Sequence, residues 1–294
     1  MAWLGKKKDH AAPASTLQDS VHGSGAGRAV RHDRPRRWAI AGALLGVAGA
    51  VVAFAPASWL ASGLASATHG HLLIVNTSGS VWNGSGTVVL TGGAGARDAA
   101  SLPGRLHWKM VPKGLGLQLA ARQDCCINGE LLLGIKPGLG RMAISIDNRA
   151  DWLARLPAGL LAGLGTPWNT LQLGGSLRVS AQEFRLESAQ GRWRQFGGLQ
   201  LELLNLTSRV STVAPLGSYR LNLNADAANP GVSTLHLYTL EGALQLNGAG
   251  TLSPGGKSRF TGEAGAAPGR EEALNNLLNI IGRRQGARSV LTIG

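Results

Sequence analysis

Residues 172–188 read QLGGSLRVSAQEFRLES and residues 199–210 read LQLELLNLTSRV. In both, an apolar side chain returns at nearly every second place with a polar one between, the two-residue period of a strand with one dry and one wet face. A helix would bring its apolar residues back at three and four, so both stretches are strands.

The same period recurs on either side, in HLLIVN (71–76), GTVVLT (86–91), RLHWKMV (105–111), LGLQLAA (115–121), GELLLGIK (129–136) and RMAISI (141–146). Beyond residue 210 it continues in SYRLNLNAD (218–226), STLHLYTLEGALQLNGAGTL (233–252) and RFTGEAGAA (259–267). Turn formers fall between these segments: Asn128-Gly129, Pro137-Gly138, Gly174-Gly175, Pro215-Leu216-Gly217, Asn229-Pro230-Gly231, Asn247-Gly248 and Pro254-Gly255. In GSVWNGSGTVVL (79–90), Asn83-Gly84 predicts a type I′ hairpin, whose two central residues must both reach positive φ. The expected fold is all-β, an extended, twisted antiparallel sheet, either groove-like or closed on its own core. Trp-Asn opens both VWNGSGTVVL (81–90) and PWNTLQLGGSLRV (167–179), which suggests two related blocks at 70–150 and 167–267.

Only two stretches break the rhythm. Residues 151–164, DWLARLPAGLLAGL, start on Asp but carry Pro157 and Gly159, predicting a short broken helix in a connector at 151–166. Residues 271–284, EEALNNLLNIIGRR, put acids in the first turn and arginines in the last, with Leu274, Leu277, Leu278 and Ile281 on one face. A short amphipathic helix is therefore expected within the 268–294 tail.

Ahead of the sheet, residues 38–55, WAIAGALLGVAGAVVAFA, carry no charge and stop at Pro56. A run of that length predicts one transmembrane helix at 38–56. Arg31, Arg34, Arg36 and Arg37 crowd its amino-terminal flank, so the positive-inside rule keeps 1–36 in the cytoplasm and sends the rest out. Ala65-Ser66-Ala67 has the spacing of a leader-peptidase site, but the leader before the apolar run is long, and Trp59 and Leu60 suit an interfacial anchor. Residues 1–36 form a basic arm without hydrophobic period, expected to be disordered, and 57–69 a linker.

The net charge of +13 raises nucleic acid as a partner, yet the basic residues of the strand region are scattered singly with no aromatic RNA-reading motif, which argues against it. No nucleophile elbow, metalloprotease helix or phosphate loop occurs, so no catalytic residue is assigned and no cofactor is expected. His69 and His71 can meet on one strand face but lack a third ligand, and no metal is expected. Cys125-Cys126 are the only cysteines. Two reduced thiols, a vicinal disulfide and disulfides to another chain all stay open. Trp82 is expected to cover a sheet end beside Trp108 or Trp168, or to meet a partner.

VWNGSG (81–86), LPGRLHWKMVP (102–112), Cys125-Cys126, GVSTLHLYTLEGALQLNGAG (231–250) and APGREEALNNLLNIIGRRQGARSVLTIG (267–294) resemble the type II (general) secretion pathway protein N family. Trp82, Pro103, Trp108, both cysteines and Arg283-Arg284 match its pattern, while the long arm departs from it. The resemblance implies a Gram-negative inner-membrane protein with a periplasmic all-β domain. It would be accessory to the machine that exports folded proteins through an outer-membrane secretin, with other secretion subunits as partners and no enzymatic activity. The family's kinship to periplasmic β-groove proteins implies, as the alternative, a lipid-binding or lipid-conducting groove.

Overall fold

The computed structural model describes residues 33–229, 231–253 and 258–293, so the arm up to residue 32 and the Pro254-Gly255 turn lie outside the described residues. The chain divides into two compact units, Met1–Ala50 and Val51–Gly294. Helix α1 (Asp33–Ala53) takes up the apolar run, with Ile40, Leu44, Leu45 and Val47 exposed. Among the described residues no helix is long and apolar enough to cross a membrane. The uncharged part of α1, residues 38–53, reaches roughly 24 Å at 1.5 Å per residue, short of a bilayer core of about 30 Å.

The second unit is almost entirely one sheet. Helix α2 (Ala57–Ala67) follows Pro56, and β1 (Leu72–Gly79) and β2 (Asn83–Thr91) make the first hairpin. Short β3 (Ala99–Ser101) and then β4 (Leu106–Lys113) pair with β2, and β5 (Gly116–Arg122), β6 (Leu131–Gly138) and β7 (Arg141–Ile146) follow in order. β8 (Ala154–Pro157), a 3-10 helix (Ala158–Leu164) and the single turn α3 (Trp168–Leu171) lead into β9 (Leu173–Ala189) and β10 (Arg192–Ser208). β11 (Gly217–Ala225), β12 (Ser233–Gly242), β13 (Leu244–Leu252) and β14 (Arg259–Ala266) meander onward. Helix α4 (Glu271–Ile281) precedes a last hairpin, β15 (Arg283–Gln285) and β16 (Arg288–Ile293). All pairing is antiparallel, and the sheet runs from β1 at one end to β15 at the other.

β9 and β10 are the spine, 17 residues each. β7 pairs with β9 near the hairpin turn and β8 with its other half. The long hairpin bends at a bulge where Gly197 sits at φ +68, and any Cβ there would strike the carbonyls of Gln182 and Glu183. Away from that turn, Leu177, Leu203 and Tyr219 stand in register across β9, β10 and β11. The 3-10 helix, α3 and α4 cover this end. Leu274, Leu277 and Leu278 close the main core over Tyr219, Leu244 and Ala264.

Several local features differ from the sequence expectation. Asn83-Gly84 is not a turn: both residues are in β2, opposite Lys109 and Trp108, and the chain reverses at 79–82, where Gly79 takes φ +86. Gly84 is small for another reason, since a Cβ there would lie 2.5 Å from Trp108 Cζ2. The connector's short broken helix is the 3-10 helix, but it starts only after β8 and Pro157, so Asp151 does not cap it. Asp151 instead accepts bonds from the Trp152 amide (2.7 Å) and Asn128 Nδ2 (3.1 Å). α4 ends at Ile281, so Arg283 and Arg284 are in β15 and the last helical turn carries no base. Trp82-Asn83 and Trp168-Asn169 have different conformations, a turn leading into β2 and the helix α3.

Candidate functional site

The two faces of the sheet are chemically distinct. One row of register-matched residues runs Arg178, Glu202, Arg220, Tyr238 across β9 to β12. Glu202 is buried, accepting from Arg220 at 2.7 Å and Arg178 at 3.3 Å, so its charge is compensated on both sides. Arg220 also donates to the Tyr238 hydroxyl, and these bonds, Tyr238 first, raise its affinity for its proton further. The row is a structural brace. Among the described residues no three His, Cys, Asp or Glu side chains gather as a metal site.

The next row, on the opposite face, is apolar. It is covered only in part. Leu203 and Tyr219 lie under the helices, but further along the same strands Leu199, Leu221, Leu223 and Leu235 are only half-buried and belong to none of the buried clusters. The face therefore passes from a closed core into a partly covered apolar strip towards the β9–β10 turn.

The three tryptophans share no core cluster. Trp108 is buried against Ala57 and Ile74 and donates to the carbonyls of Ser80 and Val81 at 3.3 and 3.2 Å. Trp82 lies beside it, half-buried, its carbonyl accepting from the Met110 amide at 2.7 Å. Its indole N–H donates to the Val52 carbonyl at 2.8 Å, while the Val81 amide donates to the Ala55 carbonyl. Trp82 thus ties the last turn of α1, at Val52, to the first hairpin, a role that the distance in sequence hid. Trp168 packs on the main core at the helix-covered end.

Cys125 and Cys126 are joined in a disulfide within the β5–β6 connection. Cys126 is buried with Leu102 and Leu160, and its carbonyl accepts from the Arg155 amide at 2.7 Å, so the pair is held against β8.

The sheet's two ends contrast as docking surfaces. β1, LLIVNTSG, is eight residues long and uncharged, and among the described residues no strand pairs with its outer side. Thr68 Oγ1 meets both the amide and the carbonyl of Leu72, closing the start of that edge. β15, RRQ, is three residues long and basic, the kind of edge that resists added strands.

A family model described as type II secretion system (T2SS), protein N, matches residues 71–291, more than half of the chain. No curated protein and no solved structure matches it.

Proposed function

Since the chain belongs to the type II secretion system protein N family and is an accessory, non-catalytic subunit of that machine at the inner membrane, we propose that it braces the machine by offering the β1 edge to a neighbouring subunit. An incoming strand satisfies backbone groups that the sheet leaves unpaired, and the lack of charge on β1 spares it the cost of desolvating a charge. The contrast between uncharged β1 and short, basic β15 carries this reading. A photo-crosslinking residue at Asn76 should join the chain to another secretion subunit. Val75→Lys, a change at a position 36% exposed, should abolish that adduct and lower export. Normal export and unaltered platform subunits after deletion of the gene would overturn the bracing role.

The anchor completes this reading. Residues 38–56 cross the inner membrane once, amino terminus in the cytoplasm and sheet in the periplasm, with flanking arginines snorkelling and the bilayer thinning to meet a short helix. A reporter active only in the periplasm should work when fused to Gly294, and one active only in the cytoplasm should not.

A second reading is favoured by the partly covered apolar strip at Leu199, Leu221, Leu223 and Leu235. As a groove it would hold a lipid acyl chain. Lipid extracted from the purified chain should then be lost on Leu223→Arg; equal lipid in both proteins would discard it.

A further inference from the structure

Three hairpin turns stand side by side at one end of the sheet. Lys113 pairs with Gly116, Gly138 with Arg141, and Ala189 with Arg192, while Arg141 also pairs with Ala189. At the tips of the first two, Leu115 and Leu139 are 99% and 102% exposed, with no packing to account for an apolar residue. Val111, Met142 and Phe196, also exposed, lie within a few residues of these turns. Single exposed leucines mean little, but a cluster of such residues on adjacent tips marks an interaction surface.

Charge surrounds this cluster. The cleft between the second and third turns is lined by Lys136, Arg141, Arg192 and Arg194 with Glu187 as its acid. Glu187 is already engaged by Arg185 at 3.3 Å, and Lys113 stands at the first turn. The chain also arrives at this end. Val52 and Ala55 bond to Trp82 and Val81, and the Trp82 carbonyl bonds to Met110, three residues before Lys113, where the first turn starts, and so about 10 Å from that turn along β4. The opposite end is the one closed by the 3-10 helix, α3 and α4.

Apolar tips ringed by lysine and arginine, beside the place where an apolar segment joins the sheet, fit a lipid surface better than a protein groove, because leucine enters the headgroup boundary while the bases meet anionic phosphate. We propose that this end of the sheet rests on anionic phospholipid of the membrane that holds residues 38–56, with Leu115 and Leu139 inserted. The inference rests on the anchor reading above. It makes the sheet end a second membrane contact that fixes the orientation of the β1 edge.

The full chain, reconstituted in vesicles of phosphatidylcholine with or without phosphatidylglycerol, tests it. An environment-sensitive fluorophore is attached through Leu115→Cys, Leu139→Cys or, at the helix-covered end, Thr212→Cys, with Cys125 and Cys126 left as their disulfide. In phosphatidylglycerol vesicles the two tip probes should shift to the blue and lose quenching by acrylamide, and Thr212→Cys should do neither. Replacing Lys136, Arg141 and Arg192 together by Glu should reverse the tip shifts. Tip probes as wet as Thr212→Cys on a chain retained in the vesicles overturn the inference and leave the anchor standing. Tip shifts of equal size without phosphatidylglycerol overturn its anionic part, and a chain washed from both vesicles overturns inference and anchor together.

Discussion

Trp108 and Trp82 are neighbours with unequal loads. Trp108 is 3% exposed, and Trp108→Ala should lower stability by about 3–5 kcal/mol, because the cavity beside Gly84 has only backbone on one side to relax into it. Trp82 is half-buried and its distinctive contact is one bond to Val52, so Trp82→Ala should cost roughly 1–2 kcal/mol. Thermal unfolding of the two variants checks this order, and a larger loss for Trp82→Ala would reverse the assignment. Tyr219 offers a test by pH. Burial pushes its phenol above its ordinary range, and its hydroxyl donates to the Leu244 carbonyl at 3.0 Å. In the unfolded chain it loses its proton near pH 10, so between that value and the folded one the native state binds more protons. Its contribution is thus whole below about pH 10 and falls as pH rises above it. Tyr219→Phe should flatten that decline in a denaturation series while lowering stability at neutral pH by about 1 kcal/mol.

Strands were legible wherever one face is dry, because burial writes itself into the sequence as a two-residue period. The period marks HLLIVN, RLHWKMV and LGLQLAA, and the structure places β1, β4 and β5 there. Local signals failed where a distant partner decides. Asn83-Gly84 has turn chemistry, yet both residues are in β2 because Trp108 needs the space above Gly84. Arg283-Arg284 suit a helix end, yet β16 draws them into β15, and Gly282 breaks the helix first. What was legible in α4 was its apolar face. Leu277 is 2% exposed over the main core, and Leu277→Ala should lower stability by about 2–5 kcal/mol, whereas Asn276→Ala on the exposed face should change it little. Chemical denaturation of the pair separates packing from helix propensity.

At the scale of the molecule, the problem is how one open sheet avoids pairing with copies of itself while keeping an edge for a partner. The composition announced a sheet but not its order, since register between remote strands depends on contacts that no local period encodes. The closing hairpin answers half of the problem. β16 covers β14, and β15 then presents a short basic edge. α4 is bound into the same closure, because the Ser289 hydroxyl, fully buried, donates to the Leu278 carbonyl at 2.6 Å. Removing residues 283–294 would expose β14, eight residues with nothing pairing its outer side, and break the Ser289 bond, yet leave α4 on the core through Leu274, Leu277 and Leu278. Removing 271–294 would also uncover Tyr219, Leu244 and Ala264. The shorter truncation should therefore self-associate while still unfolding cooperatively, and the longer should lose its cooperative transition. Size-exclusion chromatography with thermal melts distinguishes these outcomes, and a monomeric shorter truncation would mean that β14 needs no cover.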